Sequence, residues 1–295
     1  MELRQLRYLV AIDEHGNLGR AARALFVSQP ALSYALKSLE SELGVRLFER
    51  TPGGVVATAA GRDVVRAASE AVRRADLVAA VAARHRRDAD RVLRVGFEAS
   101  GAGELTTKAR AEFARRHPGA RVEPKRFDWG EEAEALRDGR VDVAFVWLPA
   151  DLAGLRSVVV HTEPRVVGLP VGHRLADREG VSVVETNGEP LMWTERAPRA
   201  WVDWWAVNPR PDGSEPLWGP KNDNVEEMLE QVAEGAAICF APSSMASYYA
   251  RPDLAWVPLT DVEPLRVALS WSDDTETALV RGFVEAVSDL AVTET

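Results

Sequence analysis

Residues 18–44 read LGRAARALFVSQPALSYALKSLESELG, and the reading of this stretch decides the fold. Ala21, Ala22 and Ala24 give the segment Leu18–Leu25 small side chains that permit close helix packing. Phe26 and Val27 make a short turn. Ser28 is then a helix N-cap, and Pro30 falls in the first turn, where a missing N–H costs nothing. Ala31, Leu32, Ala35, Leu36, Leu39 and Leu43 share one apolar face, and Gly44 ends the helix. The stretch predicts helix, tight turn, and a longer second helix.

Upstream, Leu3, Leu6, Leu9, Val10 and Ile12 recur at helical spacing. Gly16 suits the end of that helix and Asn17 the start of the next. Downstream, residues 45–50 and 55–58 flank Thr51-Pro52-Gly53-Gly54 and predict strand, turn, strand, which is a wing. Residues 61–87 contain no Pro and no Gly after Gly61, and Val64, Val65, Ala68, Ala71, Val72, Ala75, Val78 and Ala79 lie at helical spacing. A helix of about 25 residues is about 37 Å long. Without a globular partner nearby it reads as a dimerisation helix, with a simple spacer as the alternative. The run Arg84–Arg91 reads as a solvated hinge.

From Val92 the pattern alternates: strand 92–97, helix 104–116, strand 120–127, helix 130–138, strand 141–147, strand 164–169, strand 190–193, helix 225–234, strand 236–240 and a last helix over 275–290. Such alternation predicts an α/β body of mainly parallel strands.

The net charge is -9, but it is unevenly placed. Residues 1–89 hold 14 Lys and Arg against 10 Asp and Glu, and residues 90–295 hold the other 22 against 35. A mildly basic front on an acidic body is compatible with a DNA-binding head. The one cysteine, Cys239, excludes a disulfide within the chain and reads as a buried, inert thiol. The first sixteen residues are interrupted by Arg4, Arg7, Asp13 and Glu14, unlike a signal peptide, and no run reaches the ~18 apolar residues of a membrane span. A cytoplasmic protein without membrane partners is expected. No HExxH, GxSxG, Gly-rich phosphate loop or Cys/His metal spacing occurs, and the histidines at 15, 85, 117, 161 and 173 are scattered, so neither enzyme chemistry, cofactor nor metal is expected.

The front of the chain resembles the LysR-type regulators. The matching residues are Leu3-Arg4-Gln5-Leu6-Arg7-Tyr8, Ala21-Ala22, Leu25, Val27 through Ser33, Leu36, Leu39-Glu40, Leu43-Gly44, Leu47-Phe48-Glu49-Arg50, Thr58 and Gly61. Two departures stand out. Tyr34-Ala35 follows Ser33 where many members carry a basic residue, and Asn17-Leu18-Gly19 replaces a hydroxyl-aromatic-hydroxyl segment. The resemblance implies an α+β architecture. A winged helix-turn-helix occupies residues 1–60, and a linker or dimerisation helix and hinge residues 61–90. A two-subdomain α/β body like a type 2 periplasmic binding protein fills 91–295. Subdomain I then covers about 91–162 and 267–295, and subdomain II about 163–266.

The helix after Ser28 is expected in the major groove, with Gln29, Pro30 and Ser33 at base edges and Tyr34 and Lys37 further along. Ser28 is expected among the DNA contacts as well, with an ordinary N-cap as its alternative role, and the two are compatible. Arg50 and Thr51 on the wing are expected at phosphate or minor groove, or Arg50 in an ion pair near Glu49. Ligands of open α/β sheets lie beyond the carboxyl ends of strands. That rule nominates Ser100, Gly101, Asp128, Trp129, Trp147, Trp193, Thr194 and Phe240 for a small-molecule effector. Each tryptophan is either a packing residue or part of an aromatic-lined cleft for a flat or apolar effector. The partners expected are double-stranded DNA, that effector, further copies of the chain in a dimer or tetramer, and RNA polymerase. A transport-type ligand module and a ligand-independent architectural DNA protein are the alternatives.

Overall fold

The computed structural model describes residues 1–89, 91–273 and 276–293. It divides into two compact units, Met1–Ala80 and Val81–Thr295.

In the first unit, α1 (Leu3–His15), α2 (Leu18–Ala24) and α3 (Gln29–Leu43) precede a hairpin, β1 (Phe48–Thr51) and β2 (Gly54–Ala57), and the start of α4 (Ala59–Ala89). The local signals explain the helix ends. Asn17 caps α2 by accepting from the backbone N–H of Gly19 and Arg20 at 2.9 and 3.0 Å. Ser28 caps α3 by accepting from Ala31 N–H at 3.3 Å. Gly16 and Gly44 close α1 and α3 in the left-handed region, at φ 56° and 69°. Leu9, Ile12, Ala21, Leu32, Leu39, Leu47 and Val65 form one buried core that joins the three helices, the hairpin and the first turns of α4. Gly61 is required by close approach: a Cβ there would stand 1.9 Å from the Leu47 carbonyl oxygen. The first wing strand begins at Phe48 rather than at 45. The Glu40 carboxylate accepts from the N–H groups of Leu47 and Phe48 at 2.7 and 3.2 Å, so a side chain of α3 bonds the backbone that enters the strand.

The second unit carries a five-stranded, a three-stranded and a two-stranded sheet. Its elements are β3 (Val92–Glu98), α5 (Glu104–Arg116), β4 (Arg121–Phe127), α6 (Glu132–Arg137), β5 (Val143–Trp147), β6 (Arg156–Glu163), β7 (Arg165–Pro170), β8 (Leu191–Trp193), α7 (Arg199–Ala206), β9 (Trp218–Lys221), α8 (Val225–Ala233), β10 (Cys239–Pro242), α9 (Met245–Tyr248), β11 (Leu254–Pro258), β12 (Leu265–Trp271) and α10 (Ala278–Thr293). One sheet has the order β4-β3-β5-β12-β6, another β10-β7-β11, and β8 pairs with β9. The chain leaves the first sheet at Glu163-Pro164-Arg165 and returns between Pro258 and Leu265. Phe113 of α5 meets Phe283 of α10 edge to face, with centroids 5.5 Å apart.

Four expectations need correction. The strands are not mainly parallel. β3 pairs parallel with β4 and β5, and β8 with β9, but β12 runs antiparallel to β5 and β6, and β7 antiparallel to β10 and β11, because β7 and β12, the first strands after each passage of the chain between the sheets, run opposite to their neighbours. Residues 84–89 are helix, not solvated linker. Arg84 is buried, and Arg87 pairs with the buried Asp142 at 3.1 Å, so part of this charge run is packed. The strand expected at 236–240 is β10 at Cys239–Pro242, which puts Phe240 inside it rather than at its end. The last helix begins at Ala278. Asp90 of the expected hinge and Thr275 of the expected last helix lie outside the described residues, as do Glu294 and Thr295 at the C-terminal end of the expected subdomain I.

Candidate DNA-binding face and effector pocket

On α3 the buried residues Leu32, Leu36 and Leu39 fix which side faces water. Gln29, Pro30, Tyr34 and Lys37 are exposed on the remaining surface, with Ser33 half-buried among them. Tyr34 is 77% exposed. Arg50 and Thr51 are exposed at the end of β1. Among the described residues Lys37 and Arg50 make no ion pair, so the alternative of an Arg50 pair near Glu49 is not what the structure adopts. Sequence reasoning missed Phe26. It is 95% exposed in the turn before Ser28, at φ 54°, a left-handed conformation uncommon for a bulky residue. Its position beside the cap was the only signal.

The body contains a pocket, partly open to solvent, that takes in about 580 Å³ of empty space when the open solvent at its mouth is counted. Its wall includes Trp129, Trp147, Trp193, Thr194 and Phe240, five of the sequence nominees. The structure brings these together from β5, β8, β10 and the loops after β4 and β8. Ser100, Gly101 and Asp128 are not on the wall. The buried Ser100 hydroxyl is 2.7 Å from that of Ser244, which in turn is held by Glu163 at the crossing. Gly101 offers its carbonyl oxygen to Trp147 Nε1 at 2.7 Å. Asp128 pairs with Arg126 at 3.0 Å and lies 3.9 Å from Arg196. Gly101 thus bonds a wall residue and Ser100 the chain neighbour of one, Met245, while Asp128 is engaged with arginines.

The rest of the wall was not nominated. Trp201, Val202, Trp205 and Ala206 come from α7, where Trp201 and Trp205 are four residues apart on one face. That spacing was visible, but no helix was expected there. Met192, Met228 and Met245 add apolar surface, and Cys239 lies among them, its thiol pushed up to about 12 by burial. Among the described residues the wall holds no charged side chain. Its amide, Asn222, accepts from Trp129 Nε1 at 2.7 Å and donates to the Trp193 carbonyl at 3.2 Å, linking the two sides of the cleft.

Charged groups lie behind the rings. Arg165 is 2% exposed, and its guanidinium sits 4.4 Å from the Trp204 ring centroid and 4.9 Å from that of Trp205. It donates to the carbonyl oxygens of Trp204 and Trp205 at the C-terminal end of α7. Burial, with the nearby Arg210, lowers its pKa to about 9. Arg210 lies 5.1 Å over Phe240. Near Trp129, Glu98 and Glu132 are fully buried. Glu98 accepts from Gly130 N–H at 2.9 Å, and burial pushes it up to about 8. Burial and the neighbouring Glu98 raise Glu132 as well.

The chain matches the family model for a bacterial regulatory helix-turn-helix protein of the lysR family over residues 3–62 and that for the LysR substrate binding domain over residues 86–291. It is 28% identical over 246 residues to the HTH-type transcriptional regulator AlsR of Bacillus subtilis strain 168, covering 83% of this chain and 81% of that one. It is 28% identical to the Hca operon transcriptional activator HcaR of Escherichia coli K12, covering 98% of both chains. Full-length CbnR, solved in complex with its target DNA, superposes with TM-score 0.57 at 25% identity, over 99% of this chain and 100% of that one. The protein belongs to the LysR family of DNA-binding transcriptional regulators, a family of regulators and not of enzymes. No helix among the described residues is long and apolar enough to cross a membrane.

Proposed function

We propose that this regulator reads its operator through the exposed strip of α3 and takes its signal from a small molecule in the tryptophan-lined pocket. The observation that carries the reading is the side-chain placement on α3. Gln29, Pro30, Ser33, Tyr34 and Lys37 face away from the core that fixes the helix. Gln29 suits adenine N6 and N7, and Pro30 suits a thymine methyl. Ser28 orders the first turn, and Arg50 and Thr51 hold phosphate or minor groove from the wing. CbnR, a full-length structural relative, was solved on its target DNA, which supports this assignment.

The division of labour is head 1–60, linker and hinge 61–90 and effector body 91–295. Subdomain I is about 91–162 with 267–295, and subdomain II about 163–266. With few cations, one head binds weakly, and pairing two heads makes the second contact intramolecular. Pairing runs through α4, which leaves Val78 71% exposed beyond the head core. Two such dimers form a tetramer. The protein works in the cytoplasm and acts on RNA polymerase. Effector binding against Trp129, Trp147, Trp193, Thr194 and Phe240 changes the angle of the two subdomains, and through it the spacing of the heads. By linkage, DNA in the favoured state tightens effector binding by the same factor. Ser100, Gly101 and Asp128 act in this scheme as supports of the wall.

The test is fluorescence anisotropy of the purified protein on DNA from its own upstream region, at two salt concentrations, against random DNA. Salt-sensitive binding that prefers the upstream DNA and weakens in Gln29→Ala supports the reading. Equal affinity for both DNAs at every salt concentration removes it.

A further inference from the structure

Asn222 is the one amide on the pocket wall among the described residues, and its place in the chain makes it a tie between two halves of the body. Trp129 follows β4 of the five-stranded sheet. Trp193 ends β8, and Asn222 follows β9, its partner strand. That strand pair is fastened to the three-stranded sheet beside the start of β10, where Met192 N–H donates to the Ile238 carbonyl at 3.0 Å. A bond between Trp129 and Asn222 therefore runs from one sheet assembly to the other. We propose that Asn222 is the positioning residue that holds these two halves at their separation, and so sets the width of the pocket.

The backbone prepares the side chain. Asn222 N–H donates to the Trp193 carbonyl at 2.9 Å, and its Nδ2 donates to the same oxygen at 3.2 Å. The amide is thus pinned to β8 by its nitrogen, and its oxygen accepts from Trp129 Nε1 at 2.7 Å. An indole nitrogen only donates and a peptide oxygen only accepts, so the amide fits in one orientation alone. Both residues are buried. A separation of the halves too narrow to admit water leaves the indole N–H and the amide oxygen without partners, so this bond resists the first step of opening.

The other ties across the seam are screened or fall elsewhere. Arg196, between β8 and α7, reaches Glu131 at 3.3 Å and Asp128 at 3.9 Å, and Arg126 reaches Glu226 at 3.8 Å. Both arginines are close to half exposed, so water and salt weaken these pairs. The hydroxyls of Ser100 and Ser244 are 2.7 Å apart, but Ser244 is held by Glu163 at the crossing, where a change of angle moves atoms least. At the seam itself the backbones come close. A Cβ on Gly130 would stand 3.6 Å from that of Ala197.

Only the consequence of this tie rests on the reading of the pocket as an effector site: an effector against Trp129 and Trp193 acts on the angle of the two halves by stretching or preserving one bond. The test needs no effector, so its failure strikes the tie and leaves that reading standing.

The close approach supplies the test. Cβ atoms 3.6 Å apart lie within the span of a disulfide, so Gly130→Cys/Ala197→Cys in the full-length protein forms a bond across the seam only while the halves are in place. Its oxidation equilibrium is measured in glutathione buffers at about 0.15 M salt by alkylation and mass spectrometry, which read the native thiol of Cys239 separately. Backbone strain at position 130 is common to every protein compared. We expect the disulfide to form in this parent, and its equilibrium constant to fall at least about tenfold with Asn222→Leu. Trp129→Phe keeps a ring, removes the N–H and gives a similar fall, and the two changes together do no more than either alone. Arg196→Gln shifts the constant by less than about twofold. If Asn222 only orders the turn between β9 and α8, Asn222→Leu acts and Trp129→Phe does not, and the proposal falls. It falls as well if neither change moves the constant, if the parent forms no disulfide, or if Arg196→Gln costs as much as Asn222→Leu. Should Asn222→Leu fail to fold, Trp129→Phe decides alone: a tenfold fall sustains the tie and an unchanged constant removes it.

Discussion

The head and the body solve the problem of exposing chemistry in opposite ways. The α3 strip is built from residues 29–37, one contiguous segment, and its side chains stand on the water side of a core to which they contribute little. The pocket gathers residues from 129 to 245, and most of its wall, including Trp129, Trp147 and Trp205, belongs to the core of the body. Binding is therefore separable from stability in the head, and entangled with it in the body.

The largest effect that sharpens this contrast comes from the far side of α3. Leu32 is fully buried among α1, α2 and the wing. Leu32→Ala is expected to cost the head about 2–5 kcal/mol, read by urea unfolding, and to lose DNA binding only through that loss. A variant that melts like wild type would break the comparison at its root.

Next in size is the pH dependence of the body. Glu98 holds its proton up to about 8 when folded, against 4.5 in an ordinary carboxyl. Below about 4.5 it is protonated in both states, and above about 8 ionised in both. Between these values the folded state holds the proton more tightly, so this group's contribution to stability falls as pH rises. Glu132 acts in the same direction. Glu98→Gln keeps an acceptor for Gly130 N–H and removes this titration. The stability difference between pH 5 and pH 8 should shrink by an amount on the order of a few kcal/mol, measured by denaturant unfolding at both values. An unchanged pH profile would show that Glu98 ionises normally.

The same contrast explains what was legible in the sequence. In the head, caps and turns are local. Asn17, Ser28, Gly16 and Gly44 each act on backbone within a few residues, so their meaning is visible in the string. The wing start was misplaced because Glu40, seven residues upstream of Leu47, supplies the hydrogen bonds. In the body, tryptophans after strand ends were readable as cleft residues by position. α7 was not, since three tryptophans in eight residues resemble no ordinary amphipathic helix and only the assembled cleft gives Trp201 and Trp205 a wall to form. The charge run at 84–89 carried no sign of its partner, because Asp142 lies 55 residues beyond Arg87.

A smaller effect separates recognition from folding. Gln29→Ala should cost about 1–3 kcal/mol in binding to the preferred DNA, with unfolding unchanged. Lys37→Ala should weaken all DNAs alike and lower the salt slope by about 1. If Gln29→Ala weakened random DNA equally, Gln29 would be a backbone contact and the reading of bases would move to Tyr34 and Ser33.

The smallest expected effect falls where the two properties meet. Ser28 belongs to the strip by position and to the fold by its 3.3 Å hydrogen bond from Ala31 N–H. Ser28→Ala removes that cap and should cost about 1 kcal/mol of head stability. Ser28→Asp restores the acceptor but sets a negative charge beside the proposed phosphate path. If the cap is the whole role of Ser28, the aspartate variant recovers both stability and DNA affinity. If Ser28 also lies close to the phosphates, stability returns while affinity stays low, most visibly at low salt where charge repulsion is least screened. Melting and anisotropy on the same two proteins separate these cases, and the divergence between them measures how near the cap stands to the DNA.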